Sequence, residues 1–428
     1  MKSAVIALGK IGLPLAVQFA RSGVRTYGAD INESAIDLIS KGIPPFPGEA
    51  FLEEYLVGVI EAGTLTVGAD TTAATSAADV VVVVVPLIVD AQGVPAFEAI
   101  DSATRDIGRG LRPGTLVVYE TTLPVGTTRD RFGPMLAEVS GLSTDQFLVA
   151  HSPERVYSGR IFSDFRRYPK LVGGTNKAAA RRCVEFYEEV LQFDDRPDLD
   201  RPNGVWDLGS AEAAELAKLA ETTYRDVNIA LANEFARFAE TTGIDVGLVI
   251  EASNSQPFSH IHQPGIAVGG HCIPVYPRFY TSTDPEATLP VTARDVNLAV
   301  PRRVVARLQD SLGTIEGARI VVLGAAYRGG VRESAFSGVF DTVTALGELG
   351  AIPLVEDPLY ADAELSEMGF TPYVAGSPVA AAIVQANHTE YLALTSADFP
   401  GIQAIYDGRS YLNPASWSDI TYLRIGVG

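Results

Sequence analysis

Cysteine is scarce in this 428-residue sequence, which holds two, Cys183 and Cys272. Two thiols so far apart provide no disulfide framework, so a reducing, cytoplasmic compartment is expected. Basic side chains are also few, 33 against 52 acidic ones for a net charge of −19. That balance argues against nucleic-acid or anionic-lipid partners, and an anionic ligand must be held by a few placed cations and backbone amides. Long apolar runs are missing as well. The longest, residues 80–89, contains Pro86 between Asp79 and Asp90, which is too short for a membrane span and suits a strand buried on both faces. Residues 1–8 read as a strand rather than a targeting signal, and no short-period repeat is evident. What is present, 47% hydrophobic and 20% charged residues, is ordinary for a globular chain of two or three domains.

Residues 3–8 form an apolar strand that runs into Ala7-Leu8-Gly9-Lys10-Ile11-Gly12-Leu13-Pro14 and a helical pattern through Ala20. A strand, a Gly-rich turn and a helix N-terminus offer amides and a helix dipole to a pyrophosphate. A second strand at 24–29 ends in Asp30, where a carboxylate accepts from ribose hydroxyls and favours NAD over NADP. Ala7 stands where the first glycine of G-x-G-x-x-G is usual. Further strands at 80–85, 115–120 and 147–150 alternate with helical stretches, predicting a doubly wound parallel sheet with ligands at its carboxyl ends. The loops 86–90, 121–128 and 151–160 should therefore carry the chemistry.

Residues 210–242 lack both proline and glycine and repeat apolar residues at helical spacing. A helix of that length suits a connecting or dimer-forming element; Lys218 lies in it, and taken alone would sit on a solvated face. A second α/β unit starts near Ile315, with strands expected at 318–323, 352–356, 390–394 and 404–407. Its Gly-rich turn, 324–330, carries Arg328, with Arg332 just beyond, and both are candidates for holding phosphates.

Cys272 sits in Gly-Ile-Ala-Val-Gly-Gly-His-Cys-Ile-Pro-Val-Tyr-Pro, residues 265–277. Gly269 and Gly270 permit close backbone approach, and Pro274 and Pro277 stiffen the exit. This setting suits a nucleophile, although a small core residue beside a flexible loop is the competing reading. His260, His262 and His271 lack convincing partners for a metal site. Cys183, on a helical face with Val184, Tyr187 and Val190, reads as core.

Six motifs in order complete the picture: the N-terminal turn with Asp30, Thr121-Thr122-Leu123-Pro124-Val125-Gly126-Thr127, Ser152-Pro153-Glu154-Arg155-Val156, Ala214-Glu215-Leu216-Ala217-Lys218-Leu219, Gly269-Gly270-His271-Cys272-Ile273-Pro274, and Arg332-Glu333-Ser334. Together they resemble the nucleotide-sugar 6-dehydrogenases, the UDP-glucose/GDP-mannose dehydrogenase family. The Pro-Glu-Arg-Val and Gly-Gly-His-Cys forms look most like the branch acting on UDP-N-acetylglucosamine or UDP-N-acetylmannosamine. The resemblance implies two Rossmann-like doubly wound domains joined by a long central helix. Residues 1–205 would bind NAD, 206–312 would hold the dimer-forming helix and the catalytic cysteine, and 313–428 would bind a UDP-sugar.

It also implies a homodimer, no metal, and four-electron oxidation of a sugar C6 alcohol to a carboxylate with two NAD in succession. Catalytic positions fall on Cys272, Lys218, Glu154, Thr122, Thr222 and Tyr276. Cofactor positions fall on Gly9, Lys10, Ile11, Gly12, Asp30, Pro86, Thr122 and Arg332. Substrate positions fall on Glu154, Arg155, Val156, Lys218, Gly269 and Arg328. The sequence departs from the family pattern at Thr222, where asparagine is usual, at Tyr276, where aspartate is usual, and at Ser158 and Ala35. UDP-glucose oxidation, or nucleotide-sugar binding with altered chemistry, are the competing expectations.

Overall fold

Val80–Val83 contributes four fully buried valines, as a strand covered on both faces requires. The computed structural model in which it lies describes residues 1–90 and 93–428. The chain forms two units, Met1–Ala220 and Glu221–Gly428.

The strands of the first unit are β1 Lys2–Ile6, β2 Arg25–Ala29, β3 Leu65–Gly68, β4 Val80–Val83, a small ribbon of β5 Ile88–Val89 and β6 Pro95–Ala96, then β7 Leu116–Tyr119, β8 Leu148–His151, β9 Lys170–Gly174 and β10 Val205–Asp207. Eight of them form one sheet in the order β10-β9-β8-β7-β4-β1-β2-β3. From β3 to β8 this is the doubly wound order in which the winding direction reverses between β1 and β4, opening a crevice beyond their carboxyl ends. The turn after Ile6 and the loop after Val83 border that crevice, which places Gly9 and Pro86 where a dinucleotide would lie. One pair departs from the all-parallel expectation. β8 and β9 run antiparallel, because the segment between them holds only the short helix Ile161–Arg167 and makes no crossover.

In the second unit β11 Arg319–Leu323, β12 Ile352–Glu356, β13 Ala381–Val384, β14 Ala404–Asp407 and β15 Thr421–Arg424 form a wholly parallel sheet, β12-β11-β13-β14-β15. Here the reversal falls between β11 and β13. The strand expected at 390–394 is instead a 3-10 helix, Thr389–Ala393. Tyr391 N–H bonds the His388 carbonyl and Leu394 N–H that of Tyr391, so the backbone closes into turns rather than offering a ladder. The true strand is the small, fully buried Ala-Ala-Ile-Val of β13.

The proline-free stretch is the helix Ala211–Thr242, 32 residues and about 48 Å long by rise per residue. The boundary between the units falls within it. No helix among the described residues is long and apolar enough to cross a membrane.

Candidate active site

In the first unit the turn after β1 is shaped by steric exclusion. A Cβ on Gly12 would lie 1.8 Å from the Ala7 carbonyl oxygen, whereas one on Gly9 would meet nothing within 4 Å. Gly12 is thus fixed by packing, and Gly9 faces open space where a ligand's phosphates can approach. Ala7 keeps the left-handed backbone of the glycine it replaces, with φ at 74°. The helix Gly12–Arg21 that follows has no side-chain cap, so its N-terminal dipole faces the same space. Lys10 is exposed and Ile11 half-buried. Asp30 closes the turn by accepting from Leu8 N at 2.6 Å and from Asn32 N at 2.8 Å. These residues fit NAD, with Gly9 to Gly12 at the pyrophosphate and Asp30 at the ribose.

The loops after β7 and β8 carry Thr122 and Glu154. Thr122 is buried, and its neighbour Thr121 ties the loop to the Val85 carbonyl through Oγ1 at 2.7 Å, beside the exposed Pro86. Glu154, with a side chain 12% exposed, accepts from Arg155 N at 2.7 Å and from Lys170 Nζ at 2.7 Å. Lys170 Nζ also donates to Glu120 at 2.6 Å, and Tyr187 Oη donates to the other Glu120 oxygen. Burial works against charge on Glu154, but the Lys170 ammonium and the Arg155 amide prevail and hold its carboxyl below the usual range. Glu120, fully enclosed, goes the other way: burial raises it despite Lys170. Arg155 turns away to the Pro169 carbonyl at 2.5 Å, and Val156 packs against the core.

Lys218 is buried, not solvated. One turn before it on the same helix, Glu215 accepts from Gly126 N at 2.6 Å, Thr128 N at 2.8 Å and Thr128 Oγ1 at 2.6 Å. It thereby caps the π-helix Thr127–Phe132 and locks the Thr122 loop to the helix that bears Lys218. Burial pushes the Glu215 carboxyl up to about 7, against the Thr128 and Gly126 donors that hold it down.

In the second unit Cys272 is exposed while Cys183 is buried, so only one of the two thiols is presented to solvent, and Cys183 is indeed core. The Cys272 turn is fastened at several points. Gly265 N donates to Asn233, Ile266 N to the Gly408 carbonyl at 2.8 Å, and Gly270 N to the Ala335 carbonyl at 2.9 Å. Arg409 Nη1 reaches the Ala267 carbonyl at 3.1 Å. A Cβ on Gly269 would lie 2.6 Å from Tyr327 Cβ, and Gly270 has φ at 88°, so both glycines are required by fit. Tyr276 opens the helix Tyr276–Thr283, its N–H on the Cys272 carbonyl at 2.9 Å. Thr222 is buried. Beside the turn lies a cavity of about 470 Å³, lined among others by Val268, Pro274, Arg278, Arg294 and Phe336.

The two arginines after β11 differ. Arg328 is exposed, its Nε on Tyr327 Oη at 3.0 Å. Arg332 is engaged inside the unit, with the Leu359 carbonyl at 2.9 Å and with Glu364. The turn itself is filled: Asp357 accepts from Ala325 N at 2.8 Å and Ala326 N at 2.9 Å, and His388 Nε2 lies 3.1 Å from the same oxygen. Residues 324–338 separate β11 from the helix Val339–Glu348, so no helix N-terminus completes this turn as one does after β1.

A family model described as the UDP-glucose/GDP-mannose dehydrogenase family, NAD binding domain, matches residues 1–191, and that of its central domain matches 212–298. A UDP-N-acetyl-D-mannosamine dehydrogenase from Campylobacter jejuni is 33% identical over 82% of this chain and 84% of its own length. The chain belongs to the UDP-glucose/GDP-mannose dehydrogenase family. It is an NAD-dependent nucleotide-sugar dehydrogenase. A further relative of the same description, from Methanocaldococcus jannaschii, is 32% identical over 96% of this chain and 93% of its own. The solved UDP-D-ManNAc dehydrogenase of Pyrococcus horikoshii superposes with a TM-score of 0.87 at 30% identity, covering 100% of this chain and 99% of its own.

Lys170, Glu120 and Glu215 are buried charged residues set beside the candidate residues Glu154, Thr122 and Lys218, and the sequence alone assigns them no role. For the first two the sequence carries part of the signal: a lysine opening the apolar strand Lys170–Gly174 and a glutamate just after Leu116–Tyr119 must each be paired when buried.

Proposed function

We propose that this dehydrogenase oxidises C6 of UDP-N-acetylmannosamine from alcohol to carboxylate, holding the sugar on Cys272 between the two oxidations. The exposed thiol on a turn whose glycines leave no room for a side chain is the observation that carries the reading. The relatives described as UDP-N-acetyl-D-mannosamine dehydrogenases support the substrate, and the cavity beside the turn has the size of a small-molecule site.

NAD, when bound, accepts one hydride in each oxidation. Lys218 supplies a fixed positive charge to the C6 alkoxide and to the later oxyanions. Once the aldehyde has formed, Cys272 Sγ adds to its carbon, and a proton reaches the former carbonyl oxygen to give a thiohemiacetal. Removal of the second hydride and of that hydroxyl proton leaves a thioester. Glu154, already ionised, takes a proton from water as the water oxygen attacks and the C–S bond breaks, with Thr122 helping to hold the water. The acid leaves and the thiol is restored. In sum, one alcohol, one water and two NAD⁺ become one carboxylate, two NADH and three protons.

Arg328 serves the diphosphate in this reading. The dehydrogenase also pairs as a homodimer, since Leu231, Phe235 and Phe238 stand 46%, 40% and 59% exposed along one helix, an apolar stripe that a second copy would cover.

The test follows NADH with UDP-N-acetylmannosamine, UDP-N-acetylglucosamine and UDP-glucose. Turnover is expected to be fastest with the first, at two NADH per sugar, and Cys272→Ser is expected to cut net acid formation about 10³-fold or more. An undiminished acid yield from that variant removes the covalent step.

A further inference from the structure

The dehydrogenase buries one ammonium between two carboxyl groups, and only one of these has been given a task. Lys170 has a side chain 6% exposed, Glu120 is fully enclosed and Glu154 is 12% exposed. Glu154 is therefore the member that reaches the surface of the cluster, while Lys170 and Glu120 stand behind it. The frame is rigid. Lys170 opens β9, Glu120 directly follows β7, and Glu154 N lies 3.3 Å from the Glu120 carbonyl oxygen. Tyr187, from the helix Lys177–Val190, bonds Glu120 and lays its ring 4.9 Å from Lys170 Nζ.

We propose that Lys170 is a positioning residue for Glu154: its ammonium fixes where that carboxylate points, and Glu120 is the second buried acceptor that keeps the ammonium in place. The inference rests on the reading of Glu154 as the base toward water. Two carboxylates around one ammonium would leave a net negative charge in a nearly dry site, which is costly. The proton that relieves it stays on Glu120, the more enclosed of the two, and Glu154 keeps its charge. Of the charged groups beside the cluster, Arg155 carries its guanidinium to the Pro169 carbonyl, and the Asp164 carboxylate is engaged by Tyr157 N and Arg160. His151 from β8 is held neutral by burial and by Lys170, and burial raises both Cys183 and Tyr187 on the neighbouring helix. Asp207 of β10 acts on Cys183. A base held in this way is ionised and aimed before the thioester forms.

The test is rapid mixing of the full chain with NAD and UDP-N-acetylmannosamine, with intact-mass spectrometry of the acid-quenched protein as a second readout. Lys170→Met is expected to keep the initial NADH burst while the steady rate falls by about tenfold or more. The sugar–protein adduct should then accumulate, and the acid limb of the steady rate should move to higher pH. Lys170→Arg, which restores a buried cation, should return to within about fivefold of the parent. A Lys170→Met protein with the parent's rate, limb and adduct level overturns the proposal, and so does one whose burst and steady rate fall together while its circular dichroism is unchanged.

Where Lys170→Met does not fold, the parent's profile decides. The limb that Glu154→Gln abolishes is expected below the ordinary glutamate value of about 4.3; at or above it, Lys170 does not hold the base. Glu154→Gln at full rate would sink the base assignment itself, whereas a slow Glu154→Gln beside an unaffected Lys170→Met would sink only the role of Lys170.

Discussion

His151 is a buried side chain without hydrogen-bond support among the described residues of the first unit. It is fully buried, and neither ring nitrogen has a hydrogen-bond partner among the described residues. Burial, and to a lesser degree Lys170, lowers it to about 3 from an unfolded value of about 6.5. The stability this neutral ring contributes is present above the unfolded value and is lost as pH falls toward the folded one, at up to about 1.4 kcal/mol per pH unit. His151→Leu is therefore expected to be within about 1 kcal/mol of the parent at pH 7 and more resistant to urea at pH 4.5. Equal losses between those two pH values would show that His151 does not govern acid sensitivity. The residues of the candidate site were unevenly legible. Cys272 announced itself by its glycines and prolines, and Glu154 and Lys218 through motifs. Lys170 and Glu120 each stand at an end of an apolar strand, which says that each needs a partner, but they lie 50 positions apart and nothing local says that each partners the other.

Among the elements, the π-helix Thr127–Phe132 depends most on a remote partner, since its N-terminal donors are met by Glu215 of another helix. With Glu215 raised to about 7, its contribution is complete below about 4.3, the unfolded value, and declines as pH rises through 7. Glu215→Gln should flatten that decline while costing roughly 1–3 kcal/mol, because one amide oxygen replaces two acceptors for three donors. Thermal melts of both proteins at pH 5 and pH 7 check this; parallel pH dependence would rule Glu215 out as the source. The periodic helices and valine-rich strands were readable because each buries a face of its own. β13 was hidden because alanines carry little strand preference, and the 390–394 segment misled because its apolar residues serve a turn. The reversal at β8–β9 escaped because strand direction depends on the connection, not on the strand.

At the scale of the whole molecule, two windings of different order serve one chain, and the helix Ala211–Thr242 carries the exposed apolar stripe. Phe235→Asp with Phe238→Asp is expected to convert the proposed dimer to a monomer in light scattering while leaving the circular dichroism spectrum intact. A dimer that survives both charges would place the interface elsewhere. Asp357 has a further bearing on how such a molecule works. Its carboxylate holds two amides of the second Gly-rich turn, as Asp30 holds one of the first, but only the turn after β1, among the described residues, leads straight into a helix N-terminus that can face a pyrophosphate. On the proposed four-electron oxidation that turn would be loaded with NAD twice, and the half-oxidised sugar would outlast a change of coenzyme. On the proposed chemistry the sulfur of Cys272 is the tether that stops a reactive aldehyde from drifting away during the exchange.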